Sequence, residues 1–214
     1  VIFFSRIFNF GNGSTWPGHL AIKIYPDILI RYLRKINNKI IIIAGTNGKT
    51  TTAKMIRTVL EHQKATVVHN ESGANLLNGI VSSLIQKTDN RGNFYTDYAI
   101  FEVDEATLPL LLKFFENYNK LNKKVILGLL NLFRDQLDRY GEVDMIARKW
   151  SSAVQKIPEG VVLVLNADDP QIAEIGLNQN KKNIVYFGLN DHSLYLKNKQ
   201  HAADSTYCLN CGGL

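Results

Sequence analysis

The sequence predicts an α/β fold, a mostly parallel sheet with helices on both faces. Three observations predict it. Apolar runs of strand length alternate with stretches of helical period. The runs are nearly continuous in Val, Ile and Leu, as strands covered on both faces are. Polar clusters recur where those runs end: after Ala44, at Glu102, at Asn131 and at Asn166. Ligands of open parallel sheets bind at the C-terminal ends of the strands, so these clusters are expected to share one site.

The totals fit that class. The chain has 214 residues, 45% hydrophobic and 21% charged, enough for one good-sized domain with its own core. No apolar run approaches the length of a membrane span. Val1-Ile-Phe-Phe is apolar but lacks the basic leader and cleavage site of a signal peptide. The net charge is +6, but the lysines are scattered and no basic stripe with interleaved aromatics suggests nucleic acid. A solvated surface with a site for anionic substrates is the preferred reading. Both cysteines lie at the far end, which argues against a disulfide framework and fits a reducing compartment.

Residues 1–38 read as a lead-in to the main domain. Gly11 to Gly18 is turn-rich, and either a phosphate-holding loop or a surface loop packing the Trp16 ring is open. His19 to Lys23 is a short segment. Pro26 to Lys35 reads as an amphipathic helix with Leu29, Ile30 and Leu33 inward and Arg31, Arg34 and Lys35 outward. A strand begins at Ile40. Helix is expected over Thr51 to Gln63, and a short strand over Thr66 to His69. A polar loop, Glu71 to Gly79, runs into a helix ending near Lys87, and Asn90 to Asn93 is a turn. Tyr98 to Asp104 is a strand, Leu108 to Asn117 a helix and Lys124 to Leu130 a strand. Asn131 to Gly141 is a polar loop before a helix over Glu142 to Lys156. Val161 to Asn166 is a strand, Asp169 to Ile175 a short helix and Asn183 to Gly188 the last strand. Residues 39–200 form the main domain in this reading.

The stretch Ile40-Ile-Ile-Ile-Ala-Gly-Thr-Asn-Gly-Lys-Thr-Thr-Thr52 has the strand–loop–helix layout of a phosphate-binding loop. Glycines let backbone N–H groups converge on an anion, and the helix that follows adds its positive dipole end. The general pattern has Gly where this chain has Ile43, so the loop is the shorter Gly-Thr-Asn-Gly-Lys-Thr form. Gly45, Thr46, Asn47, Gly48, Lys49, Thr50 and Thr51 are therefore the expected nucleotide-binding set. Lys49 is the charge for the β- and γ-phosphates, and Thr50 the hydroxyl for Mg²⁺.

Glu102-Val-Asp-Glu105 ends a buried strand, and a carboxylate near such a loop suits Mg²⁺, which takes oxygen ligands. Strand alternation puts Glu102 and Asp104 on one side. Glu102 is favoured as the metal acid, and helix entry is the plain alternative for these residues. Arg134, Asp135, Asp138 and Arg139 form a dense alternating-charge loop, read equally well as a site or as a salt-bridged helix start. In Leu165-Asn-Ala-Asp-Asp-Pro170, Asp168 or Asp169 caps the next helix, while Asn166 is a candidate for nucleoside contact. His62 and His69 need no special role as helix-end and strand-end residues. Cys208 and Cys211 form half of a zinc knuckle, two of the four ligands a tetrahedral Zn²⁺ needs.

Taken together, Gly45-Thr-Asn-Gly-Lys-Thr-Thr51, Glu102-Val-Asp-Glu105, Asn131-Leu-Phe-Arg-Asp-Gln-Leu-Asp-Arg-Tyr-Gly141 and Leu165-Asn-Ala-Asp-Asp-Pro170 resemble the central ATPase domain of Mur ligases, in the same order. Nearly the whole chain is covered. The resemblance implies ATP and Mg²⁺ as cofactors, and joining of nitrogen to a carboxylate through an acyl-phosphate. The short lead-in, Gly11 to Gly18 with Ala21-Ile-Lys23, and the Cys-x-x-Cys-Gly-Gly near the end are similar to the branch of that family that amidates the D-glutamate of lipid II. Gln136 and Tyr140 stand where amino-acid-adding members have His, which casts doubt on an amino-acid-adding role.

That branch implies ammonia from a separate glutamine amidotransferase subunit, GatD, and a cytoplasmic location reaching the membrane only through the lipid-linked substrate. Lys49 and Glu102 become the catalytic pair. Asn75, Arg134 and Asp138 become substrate-side candidates, and Asn166 approaches the adenine side. Residues 201–214 would be the first half of a structural zinc ribbon with Cys208 and Cys211 as Zn²⁺ ligands. The stop within that motif is expected of a piece of a longer protein, inactive alone. Two competing readings are a folylpolyglutamate-synthase-like amide ligase and a non-catalytic nucleotide-binding or zinc-ribbon nucleic-acid module. Folate glutamylation would mark the first, and steeply salt-dependent nucleic-acid affinity without an ATP-dependent product the second.

Overall fold

The computed structural model describes residues 15–70, 74–116, 125–133, 142–177, 179, 183–189, 191 and 193. Ile36–Ala44 forms β1, the axis of the sheet. Its isoleucine run has little helix preference and suits a pleat buried on both sides. Parallel neighbours hold it: β3 (Thr96–Val103) on one side and β4 (Val125–Leu129) on the other. Outward from β3 lies β2 (Val67–His69). Outward from β4 lie β5 (Val162–Asn166) and β6 (Ile184–Phe187), giving the order β2-β3-β1-β4-β5-β6. Every pairing is parallel. The connection leaving β1 runs toward β2 and the one leaving its neighbour β4 runs the other way to β5, so the crevice beyond the C-terminal ends of β1 and β4 is the topological switch point.

The helices are α1 (Trp16–Ile24), α2 (Ile28–Leu33), α3 (Lys49–His62), α4 (Leu77–Gln86), α5 (Leu108–Glu116), α6 (Glu142–Lys156) and α7 (Pro170–Leu177). Ile40, Ile42 and Ala44 of β1, Phe101 of β3, Leu127 of β4 and Leu163 of β5 point to one face. There they meet Leu29 and Leu33 of α2, Ile80 and Leu84 of α4, Leu111 of α5, Trp150 of α6 and Ile172 of α7 in one continuous core. Trp150 is fully buried, which removes enough apolar surface to contribute roughly 3 kcal/mol.

The opposite face is thinner. Among the described residues only α3 lies on it, its Ala53, Ile56 and Leu60 packing with Ile43 and Ile100. Among the described residues, helices cover both faces over the β2-β3-β1 half of the sheet. Ile126, Val162 and Val164 on that face are half-buried, and Val185 and Phe187 are exposed.

The lead-in departs from its expectation in one place. Gly and Pro suggest a loop, but Pro17 sits in the first turn of α1, where its missing N–H costs nothing. Gly18 lies so close to α4 that a Cβ there would come 1.9 Å from the Asn78 carbonyl oxygen, and its N–H donates to Ser82 Oγ at 2.8 Å. Trp16 is not packed by a loop; it is 66% exposed with its ring edge-on to His19. In α2, Leu29, Ile30 and Leu33 face in and Arg31 faces out, as the period requires, and Arg34 and Lys35, just past its end, are exposed.

Candidate active site

The chain leaves β1 at Ala44 and turns through Gly45 to Gly48 into α3. Gly48 has φ 83° and ψ −7°, a left-handed conformation that any side chain would strain. The turn aims the first N–H groups of α3 back over the strand ends. Lys49 folds across the loop. Its ammonium donates to the Gly45 carbonyl and, at 3.0 Å, to the Thr46 carbonyl. Glu105 Oε1 lies 4.0 Å from the same nitrogen, with both side chains mostly buried.

Two flanks hold the loop. On one, Asn131 lies two residues past the end of β4; its Oδ1 accepts the Asn47 N–H at 2.8 Å while its Nδ2 donates to the Asn47 carbonyl at 3.1 Å. The Thr46 N–H donates to the Asn131 carbonyl at 3.0 Å. The Phe133 N–H donates to Thr46 Oγ1 at 3.0 Å.

On the other flank, Glu102 of β3 points to the α3 face with Ile100. Thr50 Oγ1 donates to Glu102 Oε2 at 2.5 Å, and His69 Nε2 meets Glu102 Oε1 at 2.8 Å. Asn70, fully buried, clamps the backbone of Glu102. Its Oδ1 accepts the Glu102 N–H at 2.9 Å, and its Nδ2 donates to the carbonyls of Glu102 and Ala74, both at 2.8 Å.

Lys49, Thr50 and Glu102 thus converge on one crevice, as their positions in the sequence suggested. The donor set of a threonine hydroxyl and a buried carboxylate is all oxygen, which fits Mg²⁺ completed by phosphates and water. The strand alternation that would set Asp104 beside Glu102 stops one residue short. The strand ends at Val103, and Asp104 enters the next turn, accepting the Ala106 N–H at 3.0 Å and donating its own N–H to the Asn75 carbonyl at 3.2 Å. Asn75 is thereby placed on the β3 flank, half-buried.

Asn166 ties two strand ends together. Its Nδ2 donates to the Leu130 carbonyl at 2.8 Å, and its Oδ1 accepts the Asp168 N–H at 2.9 Å. Of the two candidate caps it is Asp169 that holds α7, through the N–H groups of Gln171 at 3.0 Å and Ile172 at 3.2 Å. Its second oxygen takes the Leu132 N–H at 2.7 Å and so anchors the segment after β4. Asp168 accepts the Leu189 N–H at 2.7 Å. Arg134, Asp138, Gln136 and Tyr140, and the Cys208 and Cys211 pair, lie outside the described residues. Among the described residues no group of three or more His, Cys, Asp or Glu is arranged to hold a metal ion.

Sequence reasoning missed three residues here. His69 was assigned no role, yet it bonds Glu102. Asn70 stood unremarked just past a short strand. Trp150 donates its indole N–H to the Glu105 carbonyl at 2.9 Å, fixing the turn that brings Glu105 to Lys49. For His69 and Asn70 a signal was present: one ends a strand and the other follows it, on the rim where the other polar clusters sit.

A parallel sheet with this loop at its switch point defines a phosphate-loop α/β domain. The chain belongs to the Mur ligase family: the Mur ligase middle-domain model matches residues 43–210. It is similar to the MurT subunit of the glutamine-hydrolysing lipid II isoglutaminyl synthase of Staphylococcus aureus (strain COL), 33% identical over 202 residues, 94% of this chain and 42% of that protein. The MurT subunit of Streptococcus pneumoniae (strain ATCC BAA-255 / R6) is 31% identical over 205 residues, again covering 95% of this chain and 42% of the relative. The chain thus spans about 42% of the length of these relatives. Among solved structures, a MurF ligase from Thermotoga maritima in complex with ADP shares the fold with a TM-score of 0.57, 18% identity, and coverage of 75% of this chain and 35% of that one.

Proposed function

We propose that this chain is the ATP-binding part of a MurT-type subunit that amidates the D-glutamate α-carboxylate of lipid II to D-isoglutamine in peptidoglycan synthesis. The observation that carries it is the convergence of Lys49, Thr50 and Glu102 at the switch point, in a chain whose sequence is similar to MurT subunits over most of its length. Gly45 to Thr51 would cradle the phosphates of ATP, with Lys49 on the β- and γ-phosphates. Thr50 and Glu102 would hold Mg²⁺, which when bound supplies charge neutralisation at the phosphates. Lys49 and the backbone N–H groups stabilise the charge of the transferring phosphoryl group, the dominant demand of such a transfer.

The α-carboxylate attacks the γ-phosphorus and releases ADP, giving an acyl-phosphate. Ammonia then attacks the acyl carbon, inorganic phosphate leaves and a proton is lost to solvent, giving the amide. A glutamine amidotransferase subunit, GatD, supplies the ammonia. Asn75, on the Glu102 flank, together with Arg134 and Asp138, serves the substrate side, and Asn166 the adenine side. Cys208 and Cys211 belong to a structural zinc ribbon completed by a further pair. Among the described residues no helix is long and apolar enough to cross a membrane; a cytoplasmic subunit meeting the membrane through its substrate fits that.

The test is amidation of lipid II by the full-length protein with its amidotransferase partner, ATP and glutamine. Lys49→Ala should lower the rate by at least about a hundredfold. Amidation at the wild-type rate in that variant would overturn the phosphate-site assignment. ATP-dependent glutamylation of a folate, without amidation of lipid II, would overturn the substrate.

A further inference from the structure

We infer that His69 is a positioning residue for the metal-side carboxylate: by holding Oε1 of Glu102 it keeps Oε2 turned toward Thr50 and the phosphate loop. The inference rests on the nucleotide site proposed above.

Glu102 and His69 are nearly sealed from solvent, with side chains 5% and 3% exposed. A buried imidazole or carboxylate is costly unless its polar atoms are satisfied. Here each oxygen of the carboxylate has its own partner, His69 Nε2 at 2.8 Å on one and Thr50 Oγ1 at 2.5 Å on the other. The arrangement divides the control of one side chain. Asn70 grips the Glu102 backbone and fixes where the side chain starts. His69 grips the far end and fixes which way it turns. With no second anchor, the carboxylate can rotate about its last torsion, which is broad for Glu. It can then present Oε2 to the loop or swing both oxygens toward Thr50.

The position of His69 makes this a matter of reach. It ends β2 in register with Ile100, two residues before Glu102 on the neighbouring strand. A donor must therefore project forward from the β2 end and across to β3. The Nε2 of a histidine does that. A glutamine amide nitrogen extends about as far, whereas an asparagine amide stops near the Nδ1 position of the ring. Partners that orient a metal-holding carboxylate typically change metal affinity by about tenfold to a hundredfold when removed.

The test measures ADP binding by calorimetry over a Mg²⁺ series, using wild type, His69→Asn and His69→Gln, with melting curves for each. His69→Asn should raise the Mg²⁺ concentration needed for half-maximal binding enhancement by about tenfold. ADP affinity without Mg²⁺ should stay at the wild-type value, which also reports that the variant is folded. His69→Gln should recover most of the Mg²⁺ dependence. A wild-type Mg²⁺ response in His69→Asn overturns the inference. So does a His69→Gln variant that is folded yet as defective as His69→Asn, since reach would then not matter. A wild type that binds ADP with no Mg²⁺ response at all overturns the phosphate-site reading itself, a separate result.

Discussion

The two flanks of the phosphate loop are each pinned by an asparagine, and the two asparagines are built differently. Asn70, just past the end of β2, is fully buried and spends its amide on three backbone groups, two on Glu102 and one on Ala74. Asn131, two residues past the end of β4, is half-buried and pairs with the two backbone groups of Asn47. Each imitates one rung of a sheet where the ladder has run out. The burial decides what each is worth. A buried backbone group that loses its partner pays the full desolvation cost, while one at the surface turns to water. The Glu102 flank is thus part of the rigid framework. The Asn47 flank is a latch on the loop proposed to meet the nucleotide.

Exchange of the buried asparagine should have the largest effect. Asn70→Leu keeps the volume but strands the Glu102 N–H and two carbonyls, and should destabilise the fold by about 3 kcal/mol. Chemical denaturation should show this as a lower midpoint with an unchanged slope. Asn131→Ala should cost about 1 kcal/mol or less in the same measurement, because water replaces the lost bonds. Its mark should fall on function instead: one neutral hydrogen bond's worth of loop ordering, about fivefold in ADP affinity. Equal destabilisation by the two variants would break the contrast between framework and latch.

The same contrast explains what could be seen without coordinates. The β1 run and the Gly-Thr-Asn-Gly-Lys-Thr turn are legible because composition and order are local. So are the inward positions of α2. The start of β1 at Ile36 was hidden by Asn37, Asn38 and Lys39, whose polarity interrupts the run; the register with β3 is irregular there too. α1 was hidden by the Gly and Pro in its first turn. For His69 and Asn70 the rim position was legible in the sequence, but the partner was not, for another reason. Their partner lies 33 and 32 residues away, and only the placement of β2 beside β3 joins them. Likewise the alternation of helix and strand said nothing of how the helices would divide. Six of the seven described helices pack on one face and α3 alone on the other.

Asp97 offers the smallest effect and a control at the opposite rim of the sheet, near the start of β3. Its carboxylate accepts the Thr66 N–H at 2.9 Å and hydroxyl at 2.8 Å, and Asn37 Nδ2 at 3.3 Å. Those bonds, the Thr66 N–H first, hold its pKa below the ordinary value of 3.8. The unfolded chain takes up a proton near 3.8, the folded chain only at lower pH. The carboxylate's contribution is therefore complete above that value and disappears as pH falls through the lowered pKa. Asp97→Asn removes the titration, so its melting temperature should lie slightly below wild type at neutral pH. The two curves should draw together on acidification below about pH 4. ADP affinity should match wild type throughout the neutral range, because among the described residues this rim holds none of the loop's partners. Curves that stay parallel into acid would show that Asp97 acts through packing and not through its charge. A loss of ADP affinity would mean that the β3 strand transmits strain from one rim to the other, and that the Glu102 flank is less rigid than its buried asparagine makes it.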